Sequence, residues 1–200
     1  MTSYASVWDA GVDPRRPGQP LGLECDVCGF RGSTLGPGDA VVAVRSLPRR
    51  YRAAFGLSSD ELDEMARRRP APGWWSALEL AGHVRDVLHA KEKRLRRINF
   101  EDAPAVGEEH ETPPTGVDDQ GVQAILSALQ YNAEQLARAA ESVSGKDWLR
   151  TGQRQHAAVT ALDLLREAVH EGVHHLRDLD RVLCQAREGF RRDGGMPTDQ

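Results

Sequence analysis

Apolar residues recur at helical spacing in four separate stretches of this chain, and no stretch alternates long enough to make a persuasive strand. That pattern restricts the fold to helices that bury one stripe each. The first stretch starts at Asp39, where Val41, Val42, Val44, Leu47, Tyr51 and Phe55 share a face, and Pro48 is expected to kink or reset it. A short amphipathic piece follows at 59–68, with Ser59 as its cap, and Pro70-Ala71-Pro72-Gly73 breaks the chain. Ser76-Ala77-Leu78-Glu79 then reads as a capping box, in which hydroxyl and carboxylate each satisfy an orphan N–H. The helix it opens is expected to run to about Ile98, with Leu80, Val84, Val87, Leu88, Leu95 and Ile98 inward. Residues 101–119 are acidic and Pro-containing, as a long irregular connection would be; further helices are expected over 122–142 and 158–187. The expected fold is all-α: an antiparallel four-helix bundle with an irregular N-terminal, Cys-containing extension. Any sheet is expected to be at most a short hairpin near the cysteines. The organisation expected is an extension over 1–38, the bundle over 39–188 and a polar tail over 189–200.

Composition narrows the function classes. The hydrophobic share of 40% is enough for a core, and a formal charge of −4 argues against nucleic-acid or anionic-membrane binding. No apolar run approaches the roughly 20 residues that cross a bilayer. Three cysteines are too few for a disulfide scaffold, so the chain reads as cytoplasmic.

Seven histidines are unevenly placed, three of them (His170, His174, His175) within six residues of one helix. Positions four apart share a helix face, so His170 and His174 offer two ligands to one ion. His175 is rotated by about 100° from His174 and is expected to stay out of that set. His83, mid-helix among Leu80, Ala81, Val84 and Val87, is the natural third ligand, because bundle cores build metal sites from facing helices. Taken alone, His83 reads as a hydrogen-bonded core histidine.

The stretch Trp75-Ser76-Ala77-Leu78-Glu79-Leu80-Ala81-Gly82-His83-Val84-Arg85-Asp86-Val87 resembles the second-helix signature of the DinB-like superfamily. His170-Glu171-Gly172-Val173-His174-His175-Leu176-Arg177-Asp178-Leu179 resembles its fourth-helix signature, and Leu47-Pro48-Arg49-Arg50-Tyr51-Arg52 fits its first helix. The resemblance covers about residues 39–187. It implies a four-helix bundle that binds a divalent metal, commonly zinc or nickel, through His83, His170 and His174. It also implies a thiol chemistry, since the superfamily includes transferases and isomerases that use mycothiol, bacillithiol or glutathione.

His170-Glu171-Gly172-Val173-His174 also matches H-E-x-x-H, the zinc-protease motif, with Glu171 as general base. The context of that motif is missing: no strand flanks the helix, no Gly and His follow His175 at the required offsets, and Glu188 is poorly spaced as a ligand. Glu79 and Asp86 lie one turn either side of His83, and Asp178 one turn after His174, where each would either orient an imidazole or stay solvated. Glu167 gives a single E-x-x-H, and a di-iron site needs two such helices.

Cys25-Asp26-Val27-Cys28-Gly29-Phe30 is half of a zinc knuckle. Its completion is open between Cys184 with a histidine, a matching pair from a second subunit in a homodimer, and nothing. It is expected to lie away from the bundle metal.

Joined to the histidine pattern, the resemblance implies a metal-dependent thiol S-transferase. A mycothiol-type cosubstrate would be activated at a three-histidine site and would attack a small electrophile, with Glu171 or Glu79 as base. Zinc is the expected metal, nickel or iron the alternatives, and neither nucleic acid nor membrane is an expected partner. The other readings are a zinc-dependent hydrolase or protease and a non-catalytic metal-binding protein.

Overall fold

The computed structural model describes residues 24–56, 60–107, 116–117, 119–154 and 157–193, with side chains described to residue 188. Five helices organise it: α1 (Pro37–Phe55), α2 (Asp60–Arg67), α3 (Ala77–Phe100), α4 (Val122–Glu141) and α5 (Ala161–Asp193). Expected and observed bounds agree within a few residues, except that α5 continues as helix past 188. The Ser59 cap lies outside the described residues. Pro48 does not interrupt α1, which continues as one helix through it.

The four long helices form the bundle. Its main packed pairs are α3 with α4, α3 with α5, α1 with α4, and α1 with α5. Consecutive long helices α1 and α3 therefore lie diagonally, as do α4 and α5. The chain crosses the bundle twice. Short α2 packs on α5, α3 and α4 on the way across. The second crossing passes through a 3-10 turn (Gly145–Leu149) and a two-stranded hairpin, β1 (Thr151–Gln153) and β2 (Ala158–Thr160). The expected hairpin near the cysteines is thus displaced to the start of α5. Residues 158–160, expected to open the last helix, are strand instead. Near the cysteines the described residues form a single bridge, Glu24 to Arg31.

The predicted capping box is present in full. Ser76 Oγ accepts from the Glu79 N–H, and the Glu79 carboxylate accepts from the Ser76 N–H at 2.8 Å. The core gathers most of the predicted stripes, with Val44, Leu47, Tyr51, Leu80, Leu88, Leu95 and Ile98 fully buried, while Val42 is 68% exposed and Val87 only half-buried. Each such aliphatic side chain contributes about 1.5–3 kcal/mol by leaving water.

Two contacts fix how α1 meets α5. Gly172 faces Leu47 so closely that a Cβ there would overlap the leucine methyls. The buried Tyr51 hydroxyl donates to the Gly172 carbonyl at 3.0 Å. The helices approach at the residue directly after Glu171, so packing sets the position of the site. No helix among the described residues is long and apolar enough to cross a membrane.

Candidate metal centre

α5 is buried around most of its circumference through the middle of its length. Five consecutive residues, Ala168 to Gly172, are all buried. One side faces α1 and α3, while the N-terminal loop and the 3-10 turn Gly32–Thr34 cover another. Arg166 ties that cover down by donating from Nε to the Leu35 carbonyl at 2.9 Å. A helix covered on two sides presents two interior faces, and the histidines of α5 are divided between them.

On the bundle side, His83, Glu171 and His175 bring one donor atom each within 4.8 Å of the others. They are 8%, 4% and 4% exposed. Glu171 Oε2 lies 3.2 Å from His175 Nε2 and 3.7 Å from His83 Nε2. The His83 and His175 rings meet edge to face at 4.9 Å, and Trp75 tilts against His83 at 5.1 Å. Asp178 Oδ2 stands 3.5 Å from His175 Nδ1. On the outer side, His170 and His174 gather with Cys25 and Cys28, again with donor atoms within 4.8 Å.

The expected ligand set is therefore redistributed. His83 does not cluster with His170 and His174; it meets Glu171 and His175. The rotation of about 100° between His174 and His175 is real, but it aims His175 at α3 and not at solvent. The cysteine pair, expected away from the metal histidines, packs against two of them. The H-E-x-x-H reading fails on the same geometry, because His170 and His174 face one cluster and Glu171 the other. The only strands among the described residues form the hairpin before α5, which gives no strand beside the motif.

Other nominated acids have different work. The Glu79 carboxylate is held by the cap and by the Arg69 guanidinium, so it is a helix-start residue and not a base at the site. Asp86 pairs with Arg85 at 2.7 Å. Asp178, read as either solvated or orienting, is buried and reaches two histidines, His175 and His174 (3.6 Å). Glu167 binds Lys91 at 2.7 Å and Arg154 at 2.6 Å. Cys184 is exposed and belongs to neither cluster. The residue missed from sequence was His175. The signal that finds it is Glu171 four residues earlier, an acid at i and a histidine at i+4 on one face.

The electrostatics suit a cation. Burial lowers the His83 pKa, against the pull of Glu171. Burial alone would raise the Glu171 carboxyl, yet His175 and His83 hold it well below the usual carboxylate range. For His175 burial acts downward, and the Asp178 and Glu171 carboxylates overcome it, pushing the imidazole up to about 9. Both His175 ring nitrogens are buried, and neither makes a hydrogen bond of good geometry despite the carboxylates beside them. A buried nitrogen without a bond costs about 1–3 kcal/mol. Two imidazoles and a carboxylate are a donor set that suits a divalent ion with open positions, and such an ion would satisfy the orphaned nitrogen. The residues fit a metal.

Comparison with known proteins agrees with this architecture. One solved structure, described as "YfiT from Bacillus subtilis is a probable metal-dependent hydrolase with an unusual four-helix bundle topology", superposes with a TM-score of 0.61 at 15% identity. The match covers 80% of this chain and 89% of that one, and the shared feature is the fold. No curated protein matches the sequence. The model of the DinB superfamily matches residues 45–179, which spans α3 and α4 in full, most of α1, and the part of α5 that carries both histidine faces. The bundle with its two diagonal crossings and the family match lead to one assignment: the chain belongs to the DinB superfamily.

Proposed function

We propose that the chain is a metal-dependent thiol S-transferase, with its ion held by His83, Glu171 and His175. The observation that carries the reading is the buried cluster of three donor residues, among those described, from two facing helices. An ion with three protein ligands retains open positions, at which a bound thiol or water is deprotonated near neutral pH. The chain's own residues prepare that place. Glu171 Oε2 faces the Nε2 atoms of both His83 and His175, and the Asp178 carboxylate stands beside His175 Nδ1. Trp75 packs against His83 at the edge of the cluster. The resemblance to thiol-using members of the superfamily supports a mycothiol-type cosubstrate and a small electrophile as partners, in the cytoplasm. Zinc suits the donor set, as do nickel and iron less selectively.

A second reading, hydrolysis with water in the thiol's place, is favoured by the fold shared with the protein described as a probable metal-dependent hydrolase. The test uses tag-free protein, stripped of metal and reloaded with zinc, nickel or iron. It is supplied with mycothiol, bacillithiol or glutathione and a generic electrophile such as a chlorodinitrobenzene. Metal-dependent thiol consumption that is lost in Glu171→Gln is the expected result. Metal-dependent ester cleavage with no thiol requirement establishes the hydrolase reading instead. Metal binding with neither reaction overturns both.

A further inference from the structure

We infer that Cys25, Cys28, His170 and His174 form a second metal site, a closed four-ligand zinc centre that clamps the N-terminal loop onto α5. The two pairs are 142 or more residues apart in sequence, and the fold brings their four donor atoms within 4.8 Å of one another. Cys25 Sγ already lies 3.7 Å from His174 Nδ1. A tetrahedron with zinc bonds of about 2.0–2.3 Å places its donors roughly 3.3–3.8 Å apart, so modest closure completes it. Two thiolates and two imidazoles are the donor set that selects zinc over harder cations, and four protein ligands mark a structural site without an open position.

The loop is shaped to present both sulfurs. The Cys25 N–H donates to the Phe30 carbonyl at 3.0 Å and the Gly29 N–H to the Cys25 carbonyl at 2.9 Å, closing a tight turn around Cys28. Gly29 adopts φ +76°, a left-handed conformation that glycine takes at no steric cost. Phe30 then stacks flat on His170, ring centroids 4.6 Å apart at 11°, which fixes that imidazole's plane toward the knuckle. His174 divides its nitrogens, Nδ1 toward Cys25 and Nε2 toward Asp178. His175 divides its own the other way, with Nδ1 toward the same Asp178 oxygen. One buried carboxylate therefore orients a histidine of each centre. The two centres share no ligand.

The experiment loads full-length, reduced, tag-free protein with cobalt and reads the near-ultraviolet sulfur-to-cobalt absorption beside total metal per chain. Wild type is expected to show the absorption and two equivalents. The double variant Cys25→Ser, Cys28→Ser should lose the absorption and one equivalent. His170→Ala and His174→Ala should each weaken the absorption severely, while His83→Ala removes one equivalent and leaves it intact. Asp178→Asn should weaken both centres, by roughly 10- to 100-fold each. Absence of the absorption in wild type overturns the proposal. So does its loss in His83→Ala, or its full survival when both His170 and His174 are alanine. Alkylation gives an independent reading that needs no variant. Cys25 and Cys28 should react at least ten times more slowly with metal bound than after chelation, while exposed Cys184 reacts equally in both. Equal rates at all three cysteines overturn the site. Loss of the sulfur signal with retained thiol-transferase activity would leave the proposed function standing.

Discussion

At the scale of single residues, two glutamates that are equivalent on a sequence plot have opposite roles. Glu79 begins a helix; Glu171 faces two imidazoles. Glu79→Gln is expected to leave interior metal content unchanged and, because Gln also closes a capping box, to lower stability by no more than about 1 kcal/mol through the weakened pair with Arg69. Glu171→Gln is expected to lose the ion of the His83 centre. Elemental analysis and a denaturant melt on both variants separate the two roles, and metal loss in Glu79→Gln would contradict the assignment. Gly172 carries a prediction of its own. An alanine there pushes the Leu47 methyls out of a packed α1–α5 contact, which should cost about 1–3 kcal/mol. Because the displaced helix carries Glu171 and His175, metal affinity should fall together with the unfolding midpoint. A stable Gly172→Ala protein with unchanged metal affinity would show that this contact does not position the site.

Among the elements, α3 was the most legible and α5 the least. Ser76 and Glu79 announce the start of α3 by local hydrogen bonding, which depends on nothing beyond four residues. The stripes of α1 and α4 were equally plain because each buries a single face. α5 buries two, and spacing along a helix gives angles between side chains without saying which element waits at each angle. His170 and His174 do share a face, as their spacing requires; that the loop of Cys25 and Cys28 covers it is a tertiary fact. The same limit hides the role of His175, and the strand at 158–160 exists by pairing with 151–153, which local spacing does not show. α3 and α5 are also joined by an ion pair with a measurable signature. Lys91 is fully buried, and desolvation pulls its ammonium down to about 8 although Glu167 stabilises the charge. An unfolded lysine titrates near 10.4, so between about 8 and 10.4 the unfolded chain holds more protons than the folded one. The contribution of Lys91 to stability should therefore rise through that window and fall away again as the pH drops through 8. Compared with Lys91→Met, the wild type is expected to gain about 2 kcal/mol between pH 7 and pH 10. A pH-independent difference would mean that Lys91 keeps its ordinary titration.

For the whole molecule, the bundle follows from physics that the sequence displays openly: four amphipathic helices, one complete capping box and no long alternating run. The order in which the helices pack is not displayed. Two diagonal crossings leave α5 between α1 and α3, and that placement, more than any motif, brings His83 to Glu171 and His175. The residues that bear chemistry were visible as types and positions, while their grouping was decided by packing. Locating the ion in the three-dimensional structure tests that grouping most directly. Anomalous scattering from crystals of the zinc-loaded, tag-free protein should show an interior peak within bonding distance of His83, Glu171 and His175. A peak bonded jointly by His83, His170 and His174, or none among His83, Glu171 and His175, would contradict it.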